Sequence, residues 1–235
     1  MGLKKLKKYV MHLKLNSIAT YCKQKTRVIY FINIINIIFS YSCNGAPKSP
    51  SINMINTVKY DTATFGAGCF WCVEAQFQML NGVISVTSGY SGGKIKNPSY
   101  KEVCSGTTGH AEVCQIIYNP AIISYEDLLE AFWQTHDPTQ LNKQGNDIGT
   151  QYRSVIFYHD HHQKELAEQY KKKLNENKVW EKPVVTEISP YTNFYKAENY
   201  HQDYYNQNGE APYCQYVIQP KVEKFKKVFH NKLKK

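Results

Sequence analysis

GAGCFWCVEAQFQML, Gly66 to Leu80, is the stretch on which the fold turns. A short apolar run from Thr62, TATFG, leads into it and reads as a strand feeding Gly66 and Gly68, the residues that break it. Val73, Phe77 and Leu80 then stand at i, i+4 and i+7, one face of a helix. Asn81–Gly82 ends that helix. Cys69 and Cys72 flank Phe70 and Trp71 at its start, where amide dipoles and free N–H groups favour a thiolate. Three chemistries suit two thiols and two large aromatics at a helix start: a structural zinc site, a thioredoxin-like redox pair, or a nucleophilic cysteine with an aromatic substrate pocket.

Downstream, VISVTSGY (83–90) reads as a strand, SGGKIKNPSY (91–100) as a Gly/Pro loop, and HAEVCQIIY (110–118) as a strand that stops at Asn119–Pro120. Ser124 with Asp127 makes an approximate capping box, and Leu128, Leu129 and Phe132 give the following helix its apolar face. DPTQLNKQGNDIGTQ (137–151) is a long polar loop, of the kind that carries function in compact domains. YRSVIFYH (152–159) is a strand, 160–175 a helix opened by the HDHH run, and PVVTEIS (183–189) a strand. Tyr195 to Asn206 reads as helix or turn. Strands and helices without strict βαβ alternation predict one α+β domain over 61–220. Residues 221–235 form a basic C-terminal helix or tail, with an apolar face of Val222, Phe225, Val228 and Phe229 and lysines that read as a solvated face.

The net charge of +10 suggests a nucleic-acid partner, but its distribution does not. Residues 1–43 hold eight Lys/Arg and no acid; the other 21 basic residues nearly balance 19 acidic ones, leaving +2 for an ordinary domain. In that leader, a basic segment precedes an apolar-leaning run from Val28 to Ser42, too short for a membrane span of roughly 20 residues. It fits the hydrophobic region of a signal sequence, with Met11 as an alternative start. The run ends at Cys43, and a polar, Pro-containing linker covers 44–60. This resembles a bacterial lipoprotein signal with Cys43 as the lipidated residue. The expectation is an exported, membrane-anchored lipoprotein of the periplasm or cell envelope; an uncleaved anchor or a cytoplasmic location is the alternative.

Seven cysteines, at irregular spacings, do not read as a disulfide scaffold. Zinc lacks a second paired ligand set, since Cys104 and Cys114 lie ten apart. A thioredoxin-like pair fits the C-x-x-C but has no matching strand–helix–strand surround. The rest of the chain does offer a pocket for a nucleophile: Tyr100, His110 and Glu112 in one segment, Asp147 and Tyr152 in another. Alternation along 110–118 puts His110, Glu112 and Cys114 on one face.

GCFWCVEAQF (68–77), GYSGGKIKNPSYKEVCSGTTGHAEV (89–113), HDPTQLNKQGNDIGTQYRS (136–154) and AENYHQDYY (197–205) together resemble the peptide-methionine (S)-S-oxide reductases, the MsrA family, over about residues 60–220. The resemblance implies a two-layer sheet-and-helix sandwich of the MsrA (ferredoxin-like) type and reduction of the S epimer of methionine sulfoxide through a sulfenic acid. In that reading Cys69 is the nucleophile, Glu112 the acid, and Tyr100 and Tyr152 donate hydroxyls to the sulfoxide oxygen. Phe70 and Trp71 form the methyl pocket, Asp147 positions the substrate main chain, and His201 supports the site. Many relatives have Gly where Cys72 stands and recycle through C-terminal cysteines. Cys214 is accordingly the expected resolving thiol, with Cys72 an alternative resolver or a relay. The resemblance implies no bound cofactor or metal, electrons from thioredoxin, a thioredoxin-like protein or dithiothreitol, and a monomer. Disulfide exchange on protein thiols, and a surface lipoprotein that has lost activity, remain as alternatives. Cys104 and Cys114 read as packing residues.

Overall fold

β1 (Asp61–Ala67) lies at the centre of a six-stranded sheet in a computed structural model that describes residues 59–235. The leader, Cys43 and nearly all of the linker lie outside the described residues. After β1 come α1 (Phe70–Phe77), β2 (Val83–Ser91), α2 (Tyr100–Cys104), β3 (Ala111–Tyr118) and α3 (Tyr125–Thr135). A small hairpin, β4 (Lys143–Gln144) and β5 (Asp147–Ile148), precedes β6 (Ser154–Tyr158) and α4 (His161–Glu176). β7 (Glu187–Pro190), β8 (Tyr195–Lys196), α5 (Tyr204–Gln207) and α6 (Gln219–Val228) complete the chain.

The sheet order is β7-β6-β1-β3-β2-β8, with β6–β7 the parallel pair and every other pair antiparallel. Its inner four strands run β6-β1-β3-β2, with α1 joining β1 to β2 and α3 lying between β3 and β6. That is a split βαβ core, the ferredoxin-like α+β arrangement. Central strands must be apolar on both faces, and β3 is: Val113 and Ile116, from opposite faces, are both fully buried. On one face Phe65 packs against Phe132 and Phe77, with centroids 5.0 and 5.8 Å apart. On the other, Ala111, Val113, Val155 and Phe157 are covered by Tyr191 and Phe194.

Both polar caps foreseen in the sequence are formed. Ser124 and Asp127 make a reciprocal capping box, and Asp160 caps α4 by accepting from the Gln163 N–H at 2.8 Å. Elsewhere the chain departs from the sequence reading. Only Glu187–Ser189 of the 183–189 run joins a strand, β7, because the backbone of the preceding residues bonds elsewhere: the Val184 N–H donates to Asn175 Oδ1 of α4 and the Val185 N–H to the Pro138 carbonyl, with Val184 buried and Val185 exposed. Residues 195–206, read as helix or turn, do hold a helical turn at Asn199–His201 and the short α5, but they begin with a two-residue strand that the reading lacked. The lysines of the C-terminal segment are not uniformly solvated. Lys232 pairs with Asp127 and Glu130 at 2.9 Å each, and Lys221 turns inward. Val222, Phe225 and Phe229 are buried as their periodicity predicts, and Leu80 forms a bridge with Leu233.

Candidate active site

Gly68 starts the site. Its φ of +87° lies in the left-handed region, which glycine enters without strain and which turns β1 into α1. A Cβ there would lie 2.6 Å from the Gln144 side chain, so the β4–β5 hairpin closes directly over the turn. Gln144 fixes that hairpin by accepting from the Asp137 N–H and donating to the Asp137 carbonyl. Asp147 is thereby carried to the mouth of α1.

Cys69 is the N-cap of α1 and is buried. The N–H of Phe70, next along, donates to Glu112 Oε2 at 3.0 Å. Glu112 projects from β3 and is 1 % exposed. Burial pushes its carboxyl up to about 8, Asp147 and Cys72 push the same way, and the Phe70 N–H offsets only part of this. A carboxylic acid is therefore available at neutral pH beside the Cys69 sulfur.

The two thiols share one charge unequally. Burial raises the Cys69 thiol, and a hydrogen bond to Cys72 and the charges of Cys72 and Glu112 raise it further. Cys72 goes the other way, to about 7, through the hydrogen bond from Cys69 and then the Lys221 ammonium. The helix start does not make Cys69 the resting thiolate, contrary to the sequence expectation. Desolvation outweighs the dipole of an eight-residue helix, and the charge moves to the neighbour with a cation.

An aromatic slot surrounds Cys69. Trp71 stacks on Tyr204 with ring centroids 3.7 Å apart and 6° between planes, and Tyr213 meets it edge-on at 5.8 Å. The indole Nε1–H donates to His201 Nδ1 at 3.2 Å, which locks the ring. Phe70 lies 5.0 Å from the His201 ring, and Tyr100 lies 4.5 Å from it. The Tyr213 hydroxyl donates to Asp147 Oδ2 at 2.8 Å and also stands within hydrogen-bond reach of Cys69. Tyr100 and Tyr152 are both half-buried, and burial together with the nearby charge of Glu112 keeps their hydroxyls protonated.

The structure thus gathers Cys69, Cys72, Phe70, Trp71, Tyr100, Glu112, Asp147, Tyr152 and His201 from five separate segments. Cys214 is placed differently. It is fully buried in a π-helical turn, Cys214–Ile218, and burial raises its thiol, with the Cys72 charge adding to that. His110 does not enter the site: its ring bonds the Gly93 N–H and the Ile95 carbonyl, bracing the 91–98 loop. Cys114 is a packing residue, as read, whereas Cys104 is exposed and hydrogen-bonded to Tyr100.

Four contributors escape a reading of the sequence alone: Glu198, Tyr204, Tyr213 and Lys221. Glu198 accepts from the Tyr100 N–H and the Tyr90 hydroxyl, each at 2.8 Å, and so sets where Tyr100 begins. Glu198 and Tyr204 lie inside the 197–205 motif, and Tyr213 adjoins Cys214, so proximity to recognised residues was the available signal. Lys221 gave none, because it looks like one more lysine in a basic tail. Among the described residues, no group of three or more His, Cys, Asp or Glu side chains is placed to hold a metal ion.

A family model described as peptide methionine sulfoxide reductase matches residues 61–233. The chain is 53% identical over 174 residues to a "Peptide methionine sulfoxide reductase MsrA" of Saccharolobus solfataricus, covering 74% of this chain and 97% of that one. A protein of the same description from Sulfolobus acidocaldarius is 55% identical over 172 residues, covering 73% and 97%. Among solved structures, Mxr1 from Saccharomyces cerevisiae in reduced form is similar with a TM-score of 0.62 at 37% identity, covering 66% of this chain and 90% of that one. Methionine sulfoxide reductase A of Corynebacterium diphtheriae is similar with a TM-score of 0.60 at 31% identity, covering 72% and 89%.

Proposed function

Because this chain belongs to the peptide methionine sulfoxide reductase family, we propose that it reduces the S epimer of methionine sulfoxide, free or in proteins, with Cys69 as nucleophile. The observation that carries this assignment is the protonated Glu112 held beside Cys69 at the floor of an aromatic slot. The slot of Phe70, Trp71 and Tyr213 suits an S-methyl group. Glu112 Oε2 is taken by the Phe70 N–H, which leaves the other carboxyl oxygen to give a proton to the sulfoxide oxygen. The Tyr100 and Tyr152 hydroxyls stabilise that oxygen as it gains charge. Asp147, held by Tyr213, faces the substrate main chain.

Cys72 takes the Cys69 proton as Cys69 attacks. The substrate sulfur gains two electrons and Cys69 loses two; one oxygen atom passes to Cys69 as a sulfenic acid. Glu112, which has given its proton to the sulfoxide oxygen, takes the proton that Cys72 received, and the Cys72 thiolate so regenerated attacks the Cys69 sulfur. The S–O bond breaks, the oxygen leaves as water after taking a proton, and a Cys69–Cys72 disulfide forms. Cys214, whose thiol feels the Cys72 charge, then attacks Cys72, which forms a Cys72–Cys214 bridge and frees Cys69. A thioredoxin-like dithiol, or dithiothreitol in the assay, reduces the last bridge. No bound cofactor takes part in this scheme.

The test supplies the full chain with dithiothreitol and separate S and R epimers of a methionine sulfoxide peptide, and follows loss of one oxygen atom by mass spectrometry. Turnover of the S epimer alone is the expected result; turnover of the R epimer, or of neither by folded and reduced protein, sinks the assignment. The pH profile of a single turnover is a further prediction. Methionine formation rises with pH as Cys72 ionises near about 7 and falls as Glu112 loses its proton near about 8, giving a narrow bell. A profile rising steadily beyond pH 8 would remove Glu112 from the role of acid.

We further propose that residues 1–43 export the chain and that Cys43 carries the lipid anchor, on the basic, apolar and Cys-terminated pattern of the leader. Unmodified Cys43 in mature protein from a native membrane fraction would overturn this.

A further inference from the structure

We propose that Lys221 keeps Cys72 ionised and aimed at Cys69, and so sets the rate at which the oxidised nucleophile is resolved. The proposal rests on the reading of Cys72 as first resolving thiol. Lys221 Nζ lies 3.4 Å from Cys72 Sγ, within reach of a charge-assisted hydrogen bond to sulfur. Its main chain is tied to the same helix, since the Gln76 side-chain amide donates to the Lys221 carbonyl at 3.3 Å, one turn beyond Cys72. Pro220 and the start of α6 precede and fix that position. Among the described residues no carboxylate pairs with the ammonium. Lys221 is therefore not half of a surface ion pair; its charge is directed at a thiol.

The remaining groups around Cys72 all oppose ionisation or supply no charge. Asp147 from the hairpin and Glu112 from β3 raise the energy of a second negative charge. Burial holds the Cys114, Cys214 and Tyr213 side chains neutral, and the Cys72 charge adds to that. His136, the nearby imidazole, is held neutral at neutral pH by its own burial. Cys69 donates a hydrogen bond only until it is oxidised. Once Cys69 is a sulfenic acid, Lys221 is the cation left to hold the thiolate that must attack it. Only the thiolate attacks, so its fraction sets the resolution rate. Balance is kept: the Cys72 thiolate supplies the electron pair of the new S–S bond, the Cys69–O bond breaks, and hydroxide takes a proton and leaves as water.

The experiment uses the full chain, pre-reduced and given one equivalent of a methionine sulfoxide peptide without reductant. Methionine release and the Cys69–Cys72 bridge are followed separately across pH, the bridge by peptide mapping. In wild type the bridge forms with an acid limb near pH 7. Lys221→Met keeps the aliphatic stem and removes the charge. It is expected to move that limb up by one pH unit or more, slowing bridge formation at pH 7 about tenfold while leaving the rate near pH 9 close to wild type. Lys221→Arg, which keeps the charge, is expected to restore most of the rate at pH 7. A uniform loss at every pH, or no shift of the limb, would show that Lys221 only packs and would overturn the proposal while the bridge itself still forms. Absence of the Cys69–Cys72 bridge in wild type, with Cys69 paired directly to Cys214, would instead overturn the reading of Cys72, and the role of Lys221 with it.

Discussion

Cys69→Ser is expected to form no methionine above the uncatalysed rate. The reaction needs a polarisable nucleophile at an electrophilic sulfur, and a buried serine hydroxyl is neither ionised nor soft. The other thiols do not stand in for it. Cys72 Sγ is turned toward Lys221, Cys114 Sγ donates to the Phe70 carbonyl at 3.4 Å inside the core, and Cys214 is buried in its π turn. The substitution replaces sulfur by a smaller oxygen at an N-cap, a position that serine favours, so the fold should persist. Circular dichroism would check that, and mass spectrometry of the peptide would check turnover. Measurable turnover by the folded variant would mean that a second thiol attacks, and Cys69 would lose its assignment.

Glu112→Gln is expected to slow methionine formation by about 10²–10⁴-fold with little change in substrate binding. The amide has the size of the carboxyl, and its oxygen still accepts from the Phe70 N–H. What it lacks is a transferable proton. The alkaline limb of the single-turnover profile, placed near about 8 by Glu112, should vanish with it. Stability gives an independent check. Glu112 is raised from an ordinary carboxyl value of 4.5 to about 8 on folding, so between those values the folded chain binds a proton that the unfolded chain does not. Its stability contribution is present below about 4.5 and is lost as pH rises through about 8. Glutamine does not titrate. Urea denaturation should therefore find the variant gaining on wild type as pH rises across this window. Equal pH dependence of the two proteins would mean that Glu112 is not the buried acid described here.

Cys69, its aromatic neighbours and Glu112 were legible as members of one candidate site because each sits in a local pattern, and the resemblance to the MsrA family supplied the roles proposed for them. Cys69 follows a glycine at a strand-to-helix break, and Glu112 falls on the inward face of an alternating strand. The Ser124–Asp127 capping box and the Asp160 cap were legible for the same reason, since a cap is a contact between residues three apart. Local patterns failed where burial or a distant partner decided. The 183–189 run looked like a full strand, but its first half is recruited by residues far off in sequence. Cys104 looked like a core cysteine, but it ends a five-residue helix whose buried position is Val103.

By itself, then, the sequence determined which residue types meet at the turn after β1, and hence the class of chemistry. Periodicity and caps act over a few residues and are written in order along the chain. It did not determine where the negative charge of the Cys69–Cys72 pair rests. That depends on desolvation and on a lysine 149 positions away, brought to 3.4 Å from Cys72 Sγ by the packing of α6 on α1. Electrostatic energy in a buried site follows distance through space rather than separation along the chain, so only the tertiary structure could assign it.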